Sequence, residues 1–460
     1  MRSLLSLTRI RLALGTAAGF YGQAVQLVVQ LVSVPTFVHS WGVAGYGAWV
    51  MLFSVPSLLA MTDLGLTAAG ANAMTEATAT GDRPRAARIH MALRLITVLT
   101  SLALLALAAV FIFVTHPQAL DFGQAMPRSE ATPAAILLCI YGFLALVNGV
   151  TLAGFRAADA YASGGMLYQS VVLIEAAAAL GTALSGGSPA EVALAYVVAR
   201  LAGTAVLSLA LRRMAPWLSR TGWAIDRAEI AALLRPALAA LVLPGAYAVA
   251  IQGSVMAIGA VGGPAAVPAF SVARTLSRTA LQFAFRFNAA AMPRYTVFSA
   301  QGNRERSAQL VLLNLVVTAV PVVPAALVLL VVGRPFIALW TGGLVVPDFT
   351  LLALIMAAML ANAAWLPLSN LVLSINRHGL YSYHFLVAAI LGVALGAVLV
   401  KPLGAEGMAW AMLALELAMV LRTWQVARML GMLDRTELRQ AGRALIAELR
   451  SRRNSLNNSG

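Results

Sequence analysis

The chain is expected to fold as an all-α polytopic membrane protein. About twelve transmembrane helices should form two pseudo-twofold-related six-helix lobes around a central cleft. Three observations carry this expectation. Of 460 residues, 60% are hydrophobic and only 11% are charged, and the mean hydropathy is +0.84. A soluble protein of this length could not hide so much apolar surface. About twelve segments reach the roughly 20 apolar residues that a membrane crossing needs. The two halves of the chain also repeat short motifs in the same order.

The twelve segments lie near 12–38, 44–66, 88–114, 133–155, 165–185, 190–211, 237–261, 265–292, 308–332, 350–374, 380–400 and 407–429. Gly, Pro and polar residues punctuate the gaps, as in "TGDRP", "SGGSP", "VGGP" and "KPLG". Arg2, Arg9 and Arg11 precede the first segment. That segment is too long for a signal-peptide core and reads as an uncleaved first span. The cytoplasmic termini follow from arginine placement. Arg83, Arg85, Arg212, Arg213, Arg304, Arg306 and Arg377 fall in alternate loops, whereas Arg128, Arg334 and Lys401 are the basic residues of the others.

The repeat has four parts. Gly42–Trp49 aligns with Gly263–Phe270, and Ala71–Met74 with Ala289–Met292. Thr80–Ala87 aligns with Gln301–Ala308, and Pro189–Ala195 resembles Gly404–Ala411. Their nearly fixed offset marks a duplicated six-helix unit, and an even helix number gives both copies one orientation. The expected organisation is an N-lobe over 1–211, a cytoplasmic linker with an interfacial helix over 212–236, a C-lobe over 237–430 and a basic tail over 431–460. Leu438, Leu445, Ile446 and Leu449 of the tail share a face, which suits either contact with anionic inner-leaflet lipids or a solvated tail.

Several function classes are excluded. The net charge of +15 comes from arginines scattered between apolar spans, so nucleic acid is not the expected partner. The single Lys, Lys401, precedes Pro402, so no phosphate-loop GK[ST] exists. The single Cys139 allows no internal disulfide, and the five histidines lack metal-ligand spacing. No cofactor is expected beyond a possible coupling H+ or Na+.

The candidate site residues are polar groups at membrane depth, which usually face protein or a wet cavity. In the eighth span Arg274, Arg278, Gln282 and Arg286 follow at steps of four and form one stripe. The reading is an anion-attracting cavity, against structural ion pairs for which Glu416 is the acid at comparable depth. Gln23, Gln26 and Gln30 share a face of the first span, either bonding other helices or lining a cavity for a sugar. Glu175 and Arg200 lie at similar depth in consecutive spans and read as a buried pair. Asp63 ends the second span and could meet Arg94. Asp63, Arg94, Glu175, Arg200 and Glu416 are candidates for ion coupling or gating. Asn148, Asn314, Asn362 and Asn370 read as interhelical hydrogen-bond donors.

Val34–Asp82 resembles the opening of the bacterial exporters that flip O-antigen and related lipid-linked oligosaccharides. The features that carry the resemblance are the G-x-x-x-Y-G-x-W turn (Gly42, Tyr46, Gly47, Trp49), Asp63–Leu66 and Gly81–Asp82. "AMPRYTVFSAQGN", "FIALWTGG" (Phe336–Gly343) and Leu403–Met412 are similar to further pieces of that family. The family belongs to the multidrug/oligosaccharidyl-lipid/polysaccharide exporter superfamily. The resemblance implies two lobes that open alternately to each side of the bacterial cytoplasmic membrane. It implies as cargo an undecaprenyl-pyrophosphate-linked glycan, with basic cleft residues at Arg274 and Arg278, and possible contacts with other polysaccharide-assembly membrane proteins. A drug/cation antiporter of the superfamily would want acidic residues in the cleft. A peptidoglycan-precursor flippase usually carries two more helices. A glycan polymerase or ligase would use a larger outer loop than the longest here, near His116–Thr132.

Overall fold

The computed structural model describes residues 2–110, 120–218, 229–230, 241–375 and 377–431, without the side chains of residues 2–13, 62–64, 104, 107, 108, 283, 286, 287, 289 and 290. Every regular element among these residues is helical. The helices are α1 (Arg2–Ala79), α2 (Arg83–Val110), α3 (Arg128–Ala157), α4 (Tyr161–Leu184), α5 (Pro189–Met214) and α6 (residues 241–248). A π-helical turn (Val249–Gly253) joins α6 to α7 (Ser254–Gly262). There follow α8 (Val267–Ala300), α9 (Arg304–Trp340), α10 (Phe349–Ser374), α11 (Gly379–Leu403) and α12 (Ala405–Met429).

Helix α1 has 78 residues, a length of about 117 Å if straight, several times the roughly 30 Å of a bilayer core. Gly42 breaks it, with φ 71° and ψ 175°. The two parts supply the first two expected spans. Residues Leu241–Gly262 form one span across the π turn. With α2–α5 and α8–α12 the described residues account for all twelve expected segments. Nine of these helices are long and apolar enough to cross a membrane on those grounds alone. The long helices outside that set, α8 and α12, carry Arg274, Arg278 and Glu416 at depth.

The internal repeat has a backbone signature. Gly263, at the position equivalent to Gly42, adopts φ 83° and ψ 164° and ends α7 as Gly42 ends the first part of α1. A side chain other than hydrogen is strained there. The second repeated turn matches bond for bond. Asp82 N–H donates to the Ala77 carbonyl (2.8 Å) and Asn303 N–H to that of Phe298 (3.0 Å). The Asp82 carboxylate then accepts from Arg85 N–H (2.9 Å), and the Asn303 amide oxygen from Arg306 N–H (3.0 Å). Each is a helix N-cap, a contact worth about 1 kcal/mol.

The chain divides into two compact units, Met1–Pro268 and Ala269–Gly460. In the first, α1 packs on α3 and α4, and α5 closes against both α3 and α4. Close approach is set by small residues. A Cβ on Gly203 would overlap Val171, and one on Gly259 would overlap Met51. Of the expected linker over 212–236, the described part packs onto this unit. Trp217 and Ile230 lie against the core of α1, α2 and α3, and Glu229 pairs with Arg85 at 3.2 Å. The rest of the linker lies outside the described residues, as does the tail with Leu438, Leu445, Ile446 and Leu449.

In the second unit α10 is central, packed by α9 and α12, and α11 covers α12. Its span is 78% buried, against 17% for α9 and 22% for α11. The outward faces of α9 and α11 carry exposed Val320, Leu327, Val331, Leu391 and Val398, a surface suited to acyl chains and not to water. Charge separates by end. Arg304 and Arg306 start α9, Arg377 precedes α11, and Arg428 ends α12. Contacts hold these points together. Thr296 Oγ1 donates to the Ser374 carbonyl at 3.2 Å, Gly431 lies against the Arg304 side chain, and Arg422 bonds the Leu380 carbonyl. The opposite end carries Arg334, Asp348, Lys401 and Glu406.

Candidate functional site

The basic stripe lies on α8, in the second unit. The helix runs 34 residues without an acidic side chain. Arg274 is buried, 9% exposed, with its guanidinium over the Phe270 ring at 5.2 Å from the centroid. Arg278, one turn on, is exposed, and Gln282 is half-buried. The Arg286 side chain lies outside the described residues. One face therefore presents two guanidinium groups at different depths in the protein surface. Placing an Arg at bilayer centre costs about 2.5–3.5 kcal/mol on insertion scales. A cation–π contact returns about 0.5–2 kcal/mol, so the Phe270 ring offsets part of that cost.

Glu416, the acid expected at comparable depth, is held by neutral groups. Its Oε2 accepts from Trp365 Nε1 at 2.7 Å and from Asn362 Nδ2 at 3.1 Å, all within the second unit. Among the described residues these two donors are its polar partners. Trp365 also packs edge-on against Phe385 and tilted against Tyr381, so the carboxylate sits under an aromatic layer.

The first unit holds a different arrangement. Arg200 of α5 pairs with Glu175 of α4 at 2.6 Å, and the two side chains are 3% and 1% exposed. Tyr141 of α3 closes the triangle, accepting from Arg200 Nη2 at 2.5 Å and donating to Glu175 Oε2 at 3.3 Å. Arg200 Nη1 donates to the Tyr168 hydroxyl at 3.4 Å. The guanidinium also lies 4.4 Å from the Tyr141 ring centroid and 5.7 Å from that of Tyr168. Tyr196, Phe53 and Trp49 continue the aromatic wall. Glu175 Oε1 and Arg200 Nε are buried without a hydrogen-bond partner among the described residues. This set can hold a charge pair in a dry interior, and it retains one acceptor and one donor unused.

The structure thus brings Glu175 and Arg200 together. The three tyrosines around them were not singled out by the sequence. Tyr196 and Arg200 are four apart, and Tyr168 and Glu175 seven apart, so a shared-face argument could have found two of them. Tyr141 sits on another helix and left no such signal. Gln23 and Gln30 are half-buried and Gln26 exposed on α1. Arg94 is exposed on α2, and the Asp63 side chain lies outside the described residues. Asn314 donates to the Tyr295 hydroxyl at 3.0 Å and Asn362 to Glu416, as interhelical bonds. Asn148 departs from that expectation. It is fully buried in α3, and both amide atoms lack a partner among the described residues. Among the described residues no group of three or more His, Cys, Asp or Glu could hold a metal ion.

No protein-family profile matches the chain, and no curated protein matches it. Solved structures do. An inward-facing multidrug-resistance MATE transporter of the MOP superfamily superposes with TM-score 0.72 at 13% identity, over 88% of this chain and 94% of that one. A eukaryotic MATE transporter gives 0.67 at 16% identity, over 94% and 98%. A MOP-superfamily transporter from Pyrococcus furiosus, described as having a binding pocket of reverse polarity that suggests a different function, gives 0.58 at 14% over nearly its whole length. The chain shares the all-helical, multi-span fold of these transporter structures.

Proposed function

We propose that the protein is a transporter that moves an undecaprenyl-pyrophosphate-linked oligosaccharide from the inner to the outer leaflet of a bacterial cytoplasmic membrane, by alternating access. The observation that carries this reading is the acid-free face of α8, with Arg274 buried against Phe270 and Arg278 exposed one turn away. A pyrophosphate is at least a dianion. Guanidinium binds such oxyanions through paired N–H donors and never loses its charge. The half-buried Gln282 and the glutamines of α1 offer amide donors and acceptors suited to glycan hydroxyls. The lipid tail need not leave the bilayer while the head group crosses.

Under this reading both termini are cytoplasmic, which the arginine-rich loops support. Coupling to a proton or sodium gradient would act through carboxylates, and Glu175, Glu416 and Asp63 are the candidates. A second reading is a multidrug exporter, favoured by the multidrug transporter among the structural matches. A cationic drug is repelled by Arg274 and Arg278, so the two readings separate on charge.

The test is deletion of the gene followed by analysis of lipid-linked sugars. Accumulation of one glycan on the inner leaflet supports the flippase and names its cargo. An unchanged lipid-linked pool with altered dye efflux overturns it in favour of the drug exporter. Arg274→Ala and Arg278→Ala are each expected to lower export at least tenfold, about 1.4 kcal/mol of lost anion binding, while protein levels hold. Export that persists in the double variant removes the anion-binding role of α8.

A further inference from the structure

A groove runs along an exposed flank of the second unit between α11 and α12. Its volume is about 360 Å³. Val387, Ala388 and Leu391 of α11 and Met419 of α12 form its apolar length, and His384 and Arg422 lie toward its basic end. At 1.5 Å per residue, His384 stands roughly 8 Å and Leu391 roughly 18 Å from the start of α11. The groove therefore fits within one leaflet of a bilayer whose core is about 30 Å thick.

The basic end is built. Arg422 Nε and Nη2 both donate to the Leu380 carbonyl, at 3.2 and 2.8 Å, which pins the guanidinium beside the first turn of α11. Two of its five N–H donors are thereby used, and among the described residues the others have no hydrogen-bond partner. Arg294, Arg304, Arg306, Arg377 and Arg428 share this end of the unit, against Glu305. An immobilised guanidinium in a basic field, at the mouth of an apolar slot one leaflet deep, has the chemistry of a site for a phosphate head with an acyl chain.

We propose that this groove binds an anionic bilayer phospholipid, its phosphate on Arg422 with His384 alongside and one acyl chain along Val387, Ala388 and Leu391. The site is separate from the α8 stripe and does not depend on the cargo. Its depth favours a resident of one leaflet over a head group in transit.

The full chain is reconstituted in nanodiscs of phosphatidylcholine alone or of equal phosphatidylcholine and phosphatidylglycerol, and retained lipid is read by native mass spectrometry alongside the melting temperature. Retained phosphatidylglycerol and a higher melting temperature in the mixed discs are expected. Arg422→Gln and Ala388→Trp should each weaken retention about tenfold, equivalent to about 1.4 kcal/mol, whereas Arg428→Gln should leave it unchanged. Ala388→Trp fills the slot while keeping Arg422, so a loss there does not reduce to a lost Leu380 contact. Equal retention of both lipids overturns the proposal. So does an equal loss in Arg428→Gln, which would mean diffuse attraction, or retention that survives both groove variants. A polyprenyl pyrophosphate that alone occupies the groove, with phosphatidylglycerol unable to compete, overturns it in favour of a cargo site.

Discussion

The Glu175–Arg200 pair shows how much one contact can hold inside a bilayer. Removing one partner leaves the other charge buried, which costs about 3–5 kcal/mol. Glu175→Gln should therefore lower the melting temperature sharply in a detergent thermal-shift measurement. Replacing both members by apolar residues of similar size should restore much of it. Tyr141→Phe removes a hydroxyl that bonds both partners but keeps the ring under Arg200, and a loss of about 1–2 kcal/mol is expected. If the pair instead drives transport, Glu175→Gln will abolish export at temperatures where the protein remains folded. The pair itself was legible, because two opposite charges at one depth in neighbouring apolar helices have few other ways to be satisfied. Its aromatic enclosure was only half legible. Spacing along one helix reveals Tyr168 and Tyr196, but Tyr141 comes from a helix whose rotation no local pattern fixes. The same limit applies to Asn148, which looks in sequence like Asn314 and Asn362 and finds no partner among the described residues.

At the scale of elements, the turns are where sequence and structure agree most closely. Gly42 and Gly263 both take φ near +80° beside the start of an equivalent helix. A β-carbon at that φ, with ψ extended, costs on the order of 1–3 kcal/mol. Gly42→Ala and Gly263→Ala should thus each destabilise by a similar amount, which chemical denaturation of each variant would measure. A large inequality would mean that the two turns carry different loads. Gly47→Ala should be worse than either, because its Cβ would overlap the Pro264 carbonyl, which belongs to a backbone that cannot step aside. Hydrophobic length is a direct physical requirement, so the existence and order of the spans were readable, but some ends were not: the second span runs on past 66 to Ala79 and the ninth past 332 to Trp340. The merging of two spans into α1, and the π turn before α7, were not readable either. Both depend on how the chain continues through a junction, and composition is silent about that.

For the molecule as a whole, the charge pattern and the burial pattern describe two axes of the second unit. Along the bundle, arginine collects at one end. Across it, α10 is enclosed while α9 and α11 face outward. The first was legible in the loops, and the second was not, since α9, α10 and α11 are all strongly apolar. Hydrophobicity reports that a helix can enter a membrane and leaves open whether lipid or protein surrounds it there. The unequal burial has an evolutionary corollary. Positions enclosed on every side accept few substitutions, whereas lipid-facing positions drift among Leu, Val and Ile at little cost. Over a lineage, α10 should change slowly, and the outer faces of α9 and α11 should turn over freely. Any outward position on α11 or α12 that resists that drift would then be marked by selection for something other than packing, and Ala388 and Arg422 are where such resistance should first be sought.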